Sequence, residues 1–428
     1  MKIKFYIVAA VALIFSQSAI AQDIDALETY TPYSLFGIGD LSNTSTAINK
    51  AMGGIGVGVR DRSYINILNV ASLTQRDTLS FMLNVGGINK NSFLSEKGHT
   101  SASNIFNINN MVMSFPIKNK FAMMIGLTPY SSLGYKYKTR ETDDHLIARY
   151  GDIQYKKYGN GDIEQLFVGV AIPIIKNLSV GVEGIYYFGN LNYHSDIYYN
   201  SNVSIRTLET GWKRKASGWS AEAGVQYTAE LPKDYSLTMG ATYRMKSQIK
   251  GELMRYAYAI GQAISDTISE AKNACHTTIP AKFATGITLR KGEKWMVGLD
   301  YERQDWSKSN FLATPGVNFT SQTAQSIRAG FEFIPNKYDV RYYMKRVTYR
   351  IGAHFDQSYV KLDGTSINGF GVTFGMEFPI SRLNSSLCFS IDAGQRGKNT
   401  GNLIRERYVN VIVSFNLHDI WFIKRRYE

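Results

Sequence analysis

One pattern recurs along most of this chain: about ten residues with apolar side chains at alternate positions, followed by a break. In residues 368–378, for example, one face carries Phe370, Val372, Phe374, Met376 and Phe378. Alternation with a period of two is typical of a β-strand with one apolar face. Fourteen such segments follow one another, near residues 78–86, 106–115, 121–128, 162–172, 178–188, 217–230, 235–246, 281–290, 295–304, 324–334, 347–357, 368–378, 386–396 and 406–417.

The gaps between these segments alternate between short and long, with the long ones near residues 129–161, 189–216, 247–280 and 305–323. An even number of ten-residue strands joined in this way indicates an outer-membrane β-barrel of a Gram-negative bacterium. A soluble sandwich or propeller is the alternative, but nothing else in the chain could cover fourteen apolar faces, whereas lipid could. We therefore predict a 14-stranded antiparallel transmembrane β-barrel at residues 76–417, surrounded by outer-membrane lipid and lipopolysaccharide, with a periplasmic tail at residues 418–428.

The N-terminus fits an exported protein. Residues 1–21 combine two lysines, an apolar run and an Ala-Ile-Ala cleavage site, which predicts a cleaved signal peptide. Two cysteines are too few for a disulfide framework. The formal charge of +13 is spread along the chain without a basic block, so an anionic membrane surface is a better match for it than nucleic acid.

The face opposite the apolar one would line the lumen, and it carries both carboxylates and guanidiniums. These side chains could pair across a filled interior or be solvated in an open pore. They are Glu183, Glu222, Arg244, Asp300, Glu302, Arg328, Glu332, Arg350, Asp356, Glu377 and Asp392.

Nearly every segment also has a glycine on this face, which favours either close approach of another backbone or curvature of the barrel. Residues 22–75 lack the alternation, and fourteen strands enclose a space wide enough to need filling. We therefore expect residues 22–75 to form an N-terminal plug inside the lumen.

No cofactor, metal site or catalytic site is predicted. The glycines of residues 53–58, GGIGVG, lack the spacing of a nucleotide-binding loop, and the histidines have no partners at metal-ligand spacing. There is no G-x-S-x-G motif. A hydrolase assembled from loop residues is the alternative, but solvated loop residues explain these positions better: His99, Ser101, Asp143, Asp144 and His145. We expect a protein that is not an enzyme.

One long gap has helical spacing. In residues 251–275 apolar side chains recur every three or four positions, which predicts a helix beside the membrane. Its stripe could line a groove for an apolar ligand, or pack on the loops as a lid. The stripe residues are Leu253, Tyr256, Ile260, Ile264 and Ile268.

Together these features resemble the FadL-type outer-membrane transporters of long-chain fatty acids and other hydrophobic compounds, especially the Bacteroidetes branch. The resemblance rests on FGIGDL (residues 36–41), on HDIWFIKRRY (residues 418–427), and on a Gly-Gly-x-Gly turn followed by an Asn-Pro-Ala motif. It implies a luminal hatch that shifts when ligand binds, and ligand exit through the side of the barrel. The matching residues are Gly53, Gly54, Gly56, Asn69 and Ala71, with Val70 in place of the proline.

Two functions follow as expectations. The first is passive uptake of a hydrophobic small molecule, which binds under the outer loops and leaves laterally under control of the plug. The second is a plugged, non-conducting barrel that serves as an accessory subunit of an outer-membrane assembly or secretion complex. In that case the aromatic and basic end of the chain, WFIKRRYE, could dock an envelope protein, although it could equally be a membrane-interface anchor.

Overall fold

The computed structural model describes residues 27, 29–76, 80–96, 98–118, 121–199, 206–260, 265–311, 318–380, 385–399 and 403–420. The predicted signal peptide and the WFIKRRYE end lie outside this part of the chain, so both stay predictions. The tail begins later than expected, because the last strand runs to Ile420 rather than ending at residue 417.

The described residues form a closed antiparallel barrel of fourteen strands, which confirms the predicted fold class. Each strand pairs with the next, and β14 pairs with β1 to close the wall. The strands are β1 Ser80–Glu96, β2 His99–Lys118, β3 Phe121–Arg140, β4 Ile153–Ile175, β5 Leu178–Tyr199, β6 Thr207–Leu231, β7 Tyr235–Arg244 with Ser247–Ile260, β8 Ser265–Ile279 with Lys282–Lys291, β9 Trp295–Asp305, β10 Thr323–Phe333, β11 Thr348–Leu362, β12 Thr365–Pro379, β13 Ser386–Arg396 and β14 Arg405–Ile420.

Two strands are interrupted. In β8 the break falls at Pro280, which has no N–H to donate to the ladder. Apart from the wall, the described residues form two short strands, Asp40–Leu41 and Phe319–Ser321, and two short helices, α1 Ala47–Lys50 and α2 Asp144–Tyr150. It also has 3₁₀ turns at Pro32–Leu35, Val70–Gln75 and Tyr343–Lys345. Within the described residues, no helix is long and apolar enough to cross a membrane.

The two faces of the wall follow the predicted register. Val372 is 61% exposed on the outer surface, whereas the neighbouring Thr373 is 3% exposed and contacts the N-terminal segment. Apolar side chains such as Phe331 and Ile351 continue the outer band on neighbouring strands. A barrel with an apolar outer band has the architecture of outer-membrane proteins and indicates that location.

Several strands are much longer than a bilayer requires. The strand β6 has 25 residues, whereas about ten residues cross the membrane. The extra length forms hairpins in the regions 129–161, 189–216 and 247–280, which were predicted to be loops. Outside lipid, nothing imposes an apolar face, so these strand extensions lack the alternation that marks the membrane part.

The helix predicted at residues 251–275 is wrong, because this region is a hairpin formed by β7 and β8. The outer part of β7 also pairs with β6, so both of its edges are hydrogen-bonded and a helix would lose those bonds. The apparent helical spacing arises partly from a bulge at Ile268, which has no partner across the hairpin.

Candidate functional site

The N-terminal segment, residues 29–76, packs against the inner face of the wall. It passes a ring of glycines on consecutive strands β4 to β12, where the absence of a side chain lets the backbone or side chains of the segment approach the wall closely. At Gly330, for example, a Cβ atom would lie 2.5 Å from the carbonyl oxygen of Met52. The ring consists of Gly169, Gly181, Gly224, Gly240, Gly286, Gly298, Gly330, Gly352 and Gly375.

The glycine-rich turn of this segment binds a carboxylate of the wall. Asp300 on β9 points inward, and one of its oxygens accepts hydrogen bonds from the backbone N–H groups of Gly56 (2.6 Å) and Val57 (2.8 Å). Successive N–H groups in such a turn form a concave site for an anion. The turn therefore does bind an anion, but this anion is a side chain of the same protein.

Three more polar side chains of the wall hold the same turn. Thr373 accepts from the N–H of Gly53 at 2.8 Å, and Thr288 donates to the carbonyl of Gly58 at 2.7 Å. Gln226 donates to the carbonyl of Val57 at 2.9 Å. Polar contacts from four strands thus fix residues 53–58, and none of them involves a side chain of the turn.

The motif residues of the resemblance lie in or beside this contact. Gly53 and Gly54 have positive φ angles of 68° and 87°, which favour glycine. Gly56 lies at the Asp300 site, and Asn69 caps the 3₁₀ turn Val70–Gln75 by accepting from the N–H of Ala71 at 3.1 Å. Asn69 also donates to Val225 of the wall at 3.1 Å.

Near the periplasmic rim, two acidic side chains connect the N-terminal segment to the barrel. Asp61 lies 2.7 Å from Arg290, and Arg62 lies 2.9 Å from Glu293. Burial opposes ionisation of Asp61, but the neighbouring Arg290 guanidinium lowers the pKa of this carboxyl to about 2. The Asp61 carboxylate therefore stays charged at physiological pH.

The structure brings the predicted luminal charges together in buried groups. Arg244 lies 2.6 Å from Glu222, and Glu183 is the register partner of Glu222 on the adjacent strand. Arg350 lies 2.8 Å from Glu332 and 2.6 Å from Glu377. Arg328 lies 3.3 Å from Glu302 and 3.4 Å from Asp356. Pairing of this kind offsets much of the cost of burying charge.

An aromatic cavity of about 780 Å³ lies at the outer mouth of the barrel. One side is formed by Tyr30–Phe36 of the N-terminal segment, and the other by the outer ends of β1, β3 and β11 with the residues around Ile404. The hydroxyl of Tyr33 donates to the carbonyl of Ile404, and burial raises the pKa of Tyr33 to about 12. The apolar lining includes Leu35, Phe36, Leu94, Tyr135, Tyr137 and Leu362.

A second cavity, of about 330 Å³, lies deeper in the lumen and has a mixed lining of polar, charged and apolar side chains. Its lining includes Lys50, His354 and Asp356. Between the two cavities, Arg396 binds Asp40 at 2.7 Å and Glu406 at 2.8 Å, and Thr31 donates to Glu406 at 2.8 Å. These bonds tie the N-terminal segment to β13 and β14.

The wall separates beside this inner cavity. Strands β2 and β3 pair only between Met111↔Leu127 and Lys118↔Phe121, the half nearer the periplasm. Beyond Leu127, the edge of β3 pairs instead with the short strand Asp40–Leu41 of the N-terminal segment. The inner cavity is lined by residues on both sides of this separation, including Ile108 and Pro129.

The structure does not bring the predicted groove residues together. Leu253 shares the inward face of β7 with Ile249, whereas Tyr256 lies on the outward face and bonds His194 at 2.5 Å. Ile260 and Ile268 are exposed, and Ile264 lies outside the described residues. None of the four described residues lines the aromatic cavity, because positions three apart on a strand point to opposite faces.

The aromatic cavity was not predicted from the sequence. Its residues come from six distant parts of the chain, and each part alone has the composition of an ordinary strand end or loop. The one local signal is the Tyr-Thr-Pro-Tyr run at residues 30–33, which has aromatic side chains in a region without strand periodicity.

Solved structures of similar fold include two toluene transporters and a FadL homologue. The toluene transporter TbuX of Ralstonia pickettii is 15% identical, with 87% of this chain and 97% of that chain covered and a TM-score of 0.58. The toluene transporter TodX of P. putida is 16% identical, with 87% of this chain and 98% of that chain covered and a TM-score of 0.59. A Pseudomonas aeruginosa FadL homologue is 13% identical, with 90% of this chain and 100% of that chain covered and a TM-score of 0.58. At these identities the likeness shows a shared fold, which confirms the structural side of the FadL-type resemblance.

The family assignment rests on the sequence. A search of curated proteins found no match. A family model described as BamG matches residues 2–428, almost the whole chain. The chain therefore belongs to the BamG family, and its barrel has the fold of FadL-type transporters.

Proposed function

We propose that this protein binds a hydrophobic small molecule at the outer mouth of the barrel, as the first step of passive uptake across the outer membrane. The observation that carries the proposal is the aromatic cavity of about 780 Å³. Apolar ligand sites are typically concave, lined by aromatic and aliphatic side chains, and between about 300 and 1,000 Å³ in volume. The toluene transporters of similar fold support the same class of ligand.

In this proposal the N-terminal segment is the plug, and its outer part controls passage. Residues 30–36 line the aromatic cavity, so a ligand there touches the segment directly. The adjoining residues 40–41 pair with the edge of β3, where the wall separates from β2. Movement of this stretch would connect the cavity with the side of the barrel, which supports lateral exit of the ligand.

Ligand binding can be tested with a matched pair of variants on β1. Leu94 lines the aromatic cavity, whereas its neighbour Phe93 is exposed on the outer surface. We expect Leu94→Ser to weaken binding of a dansyl-labelled undecanoate to the detergent-solubilised protein about tenfold, since a buried leucine contributes about 1.5–3 kcal/mol. Phe93→Ser should leave the affinity within about twofold. Equal affinities for both variants and the unchanged protein would place the probe elsewhere.

A second function is supported by the way the wall holds the glycine-rich turn. Polar contacts from four strands hold residues 53–58, and the inner cavity is lined by charged side chains as well as apolar ones. This arrangement suits a non-conducting barrel that acts as an accessory subunit of an outer-membrane assembly or secretion complex. The two functions can be discriminated in proteoliposomes that contain a toluene-responsive dye. Faster entry of toluene than into protein-free liposomes supports uptake. An unchanged rate of toluene entry, together with stable co-purification of defined envelope proteins, supports the accessory-subunit function.

A further inference from the structure

The longest connection described at the periplasmic edge is a folded loop of residues 334–347, which we call the rim loop. Its two ends are joined by a hydrogen bond from the N–H of Asn336 to the carbonyl of Lys345, at 2.8 Å. At its centre, Asp339 accepts from the N–H groups of Arg341 (2.9 Å) and Tyr342 (2.6 Å). These bonds give the rim loop a defined shape.

The rim loop is also fixed to its neighbours. Glu293, in the turn between β8 and β9, accepts from the hydroxyl of Tyr338 at 2.5 Å and from Lys337 at 3.0 Å. On the other side, the hydroxyl of Tyr343 donates to the carbonyl of Pro379 at 2.9 Å. The loop therefore spans the rim between two hairpin turns.

The rim loop exposes a cluster of apolar and aromatic side chains that nothing in the chain covers among the described residues. Val340 is 100% exposed and Tyr338 69%, and Tyr342 and Met344 are both more than half exposed. Single exposed apolar residues are ordinary, but four within seven positions on an ordered loop mark an interaction surface. Because the loop is held in shape before binding, little conformational entropy is lost when a partner docks.

The charges around this cluster indicate what covers it. Residues 337–346 contain four basic side chains, Lys337, Arg341, Lys345 and Arg346, and a single acidic one, Asp339. Asp339 is occupied by the loop's own N–H groups and by Lys345 at 3.5 Å. An occupant with an acidic border around an apolar centre would match this surface.

The position of the loop favours a soluble occupant over lipid. Glu293, which holds Tyr338 and Lys337, also binds Arg62 of the N-terminal segment at 2.9 Å. The Tyr338 end of the rim loop thus lies beside the N-terminal segment, which packs inside the barrel. We propose that the rim loop is a docking site for a periplasmic protein that presents acidic residues around an apolar patch. The inference does not depend on ligand uptake at the outer mouth.

The test places a photo-crosslinking amino acid, benzoylphenylalanine, at Val340 and Tyr342 in living cells. The control position is Ile174, an exposed residue of the same edge on the outer surface of the wall. We expect one protein adduct of discrete mass at positions 340 and 342 and none at 174. Sequencing of the adduct should show that the cross-linked segment of the partner carries Asp or Glu beside apolar residues.

Charge reversal supplies the second arm. Arg341→Glu with Lys345→Glu should reduce the adduct about tenfold, because the rim charges steer association. Heat-modifiable migration on gels checks that the barrel of this variant is folded. In parallel, Val340→Trp is reconstituted in vesicles containing brominated phospholipid. No protein adduct, an adduct with a second copy of this chain, an adduct insensitive to charge reversal, or strong quenching by the brominated lipid would each overturn the proposal.

Discussion

The bond between Asp300 and the glycine-rich turn allows a sharp prediction about the plug. Asp300→Ala removes the acceptor of two short hydrogen bonds, at 2.6 and 2.8 Å, and leaves the N–H groups of Gly56 and Val57 unpaired inside the barrel. Hydrogen bonds to a charged group contribute about 1.5–3 kcal/mol each. The two bonds together would contribute about 3–6 kcal/mol, from which the cost of keeping a buried carboxylate must be subtracted.

A net loss of about 3 kcal/mol corresponds to a rise of about a hundredfold in local opening of the turn. Hydrogen–deuterium exchange measures this directly in peptides that cover residues 50–60, in detergent or nanodiscs. Asp300→Asn keeps an oxygen acceptor and should show an intermediate rise, of about tenfold. Exchange in the wall strands should not change.

The matched control is Glu302→Gln on the same strand. Glu302 also points inward, but its partners Arg328 and Lys282 belong to the wall. The Glu302→Gln variant should have an exchange rate at residues 50–60 within about threefold of that of the unchanged protein. If Asp300→Ala behaves like Glu302→Gln, the carboxylate does not anchor the turn.

Three further predictions concern single positions. Gly352→Val puts a side chain against the backbone of Gly53 and should destabilise docking of the N-terminal segment by about 1–3 kcal/mol in the exchange assay, whereas Gly184→Val, with nothing within 4 Å, should not. Val70→Pro should be tolerated, because Val70 is the first residue of the 3₁₀ turn and the preceding Asn69 has an extended backbone (φ −150°, ψ 108°). The substitution should also slow hydrogen–deuterium exchange in the turn. Loss of the folded barrel would refute this prediction. Burial opposes ionisation of Glu293, but hydrogen bonds from Tyr338 and Lys337 lower its pKa overall. The rim loop should therefore be held at neutral pH and released to limited proteolysis only when the pH falls below the usual titration range of a glutamate. Glu293→Gln should remove that pH dependence.

The membrane part of the fold could be predicted because lipid imposes one rule on every strand. Each of the fourteen predicted segments overlaps one wall strand, and the register at Val372 and Thr373 is as expected. The rule ends where the strands leave the bilayer. In residues 251–275 the chain still forms strands, but outside lipid neither face of a strand has to be apolar. The chance spacing of apolar residues there resembled that of a helix.

The candidate sites depend on contacts that no local pattern contains. Asp300 could be assigned to the lumen from its place in a strand, yet its partner Gly56 is 244 positions away. From the sequence, the glycines of the turn could be assigned to a tight backbone turn, and the glycines of the wall to points of close approach. The sequence did not show that these two sets of glycines contact each other. The aromatic cavity has the same character, since Tyr33, Tyr135 and Leu362 meet only after the barrel closes.

The two halves of the N-terminal segment are held in different ways, and this limits how uptake could work. Residues 53–58 are bound to the wall through their backbone, by contacts that an apolar ligand in the outer cavity does not touch. Residues 31 and 40 are bound through the Arg396 ion group, which separates the two cavities. An apolar ligand cannot pass these charges without leaving buried ions unpaired, which is costly. Passage therefore requires residues 30–41, including Asp40, to move as a unit. The same movement would release the edge of β3 beside the wall separation. If the protein transports, the outer half of the segment is the gate and the glycine-rich turn is its fixed base; if both halves prove equally rigid, the accessory-subunit function is the one that remains.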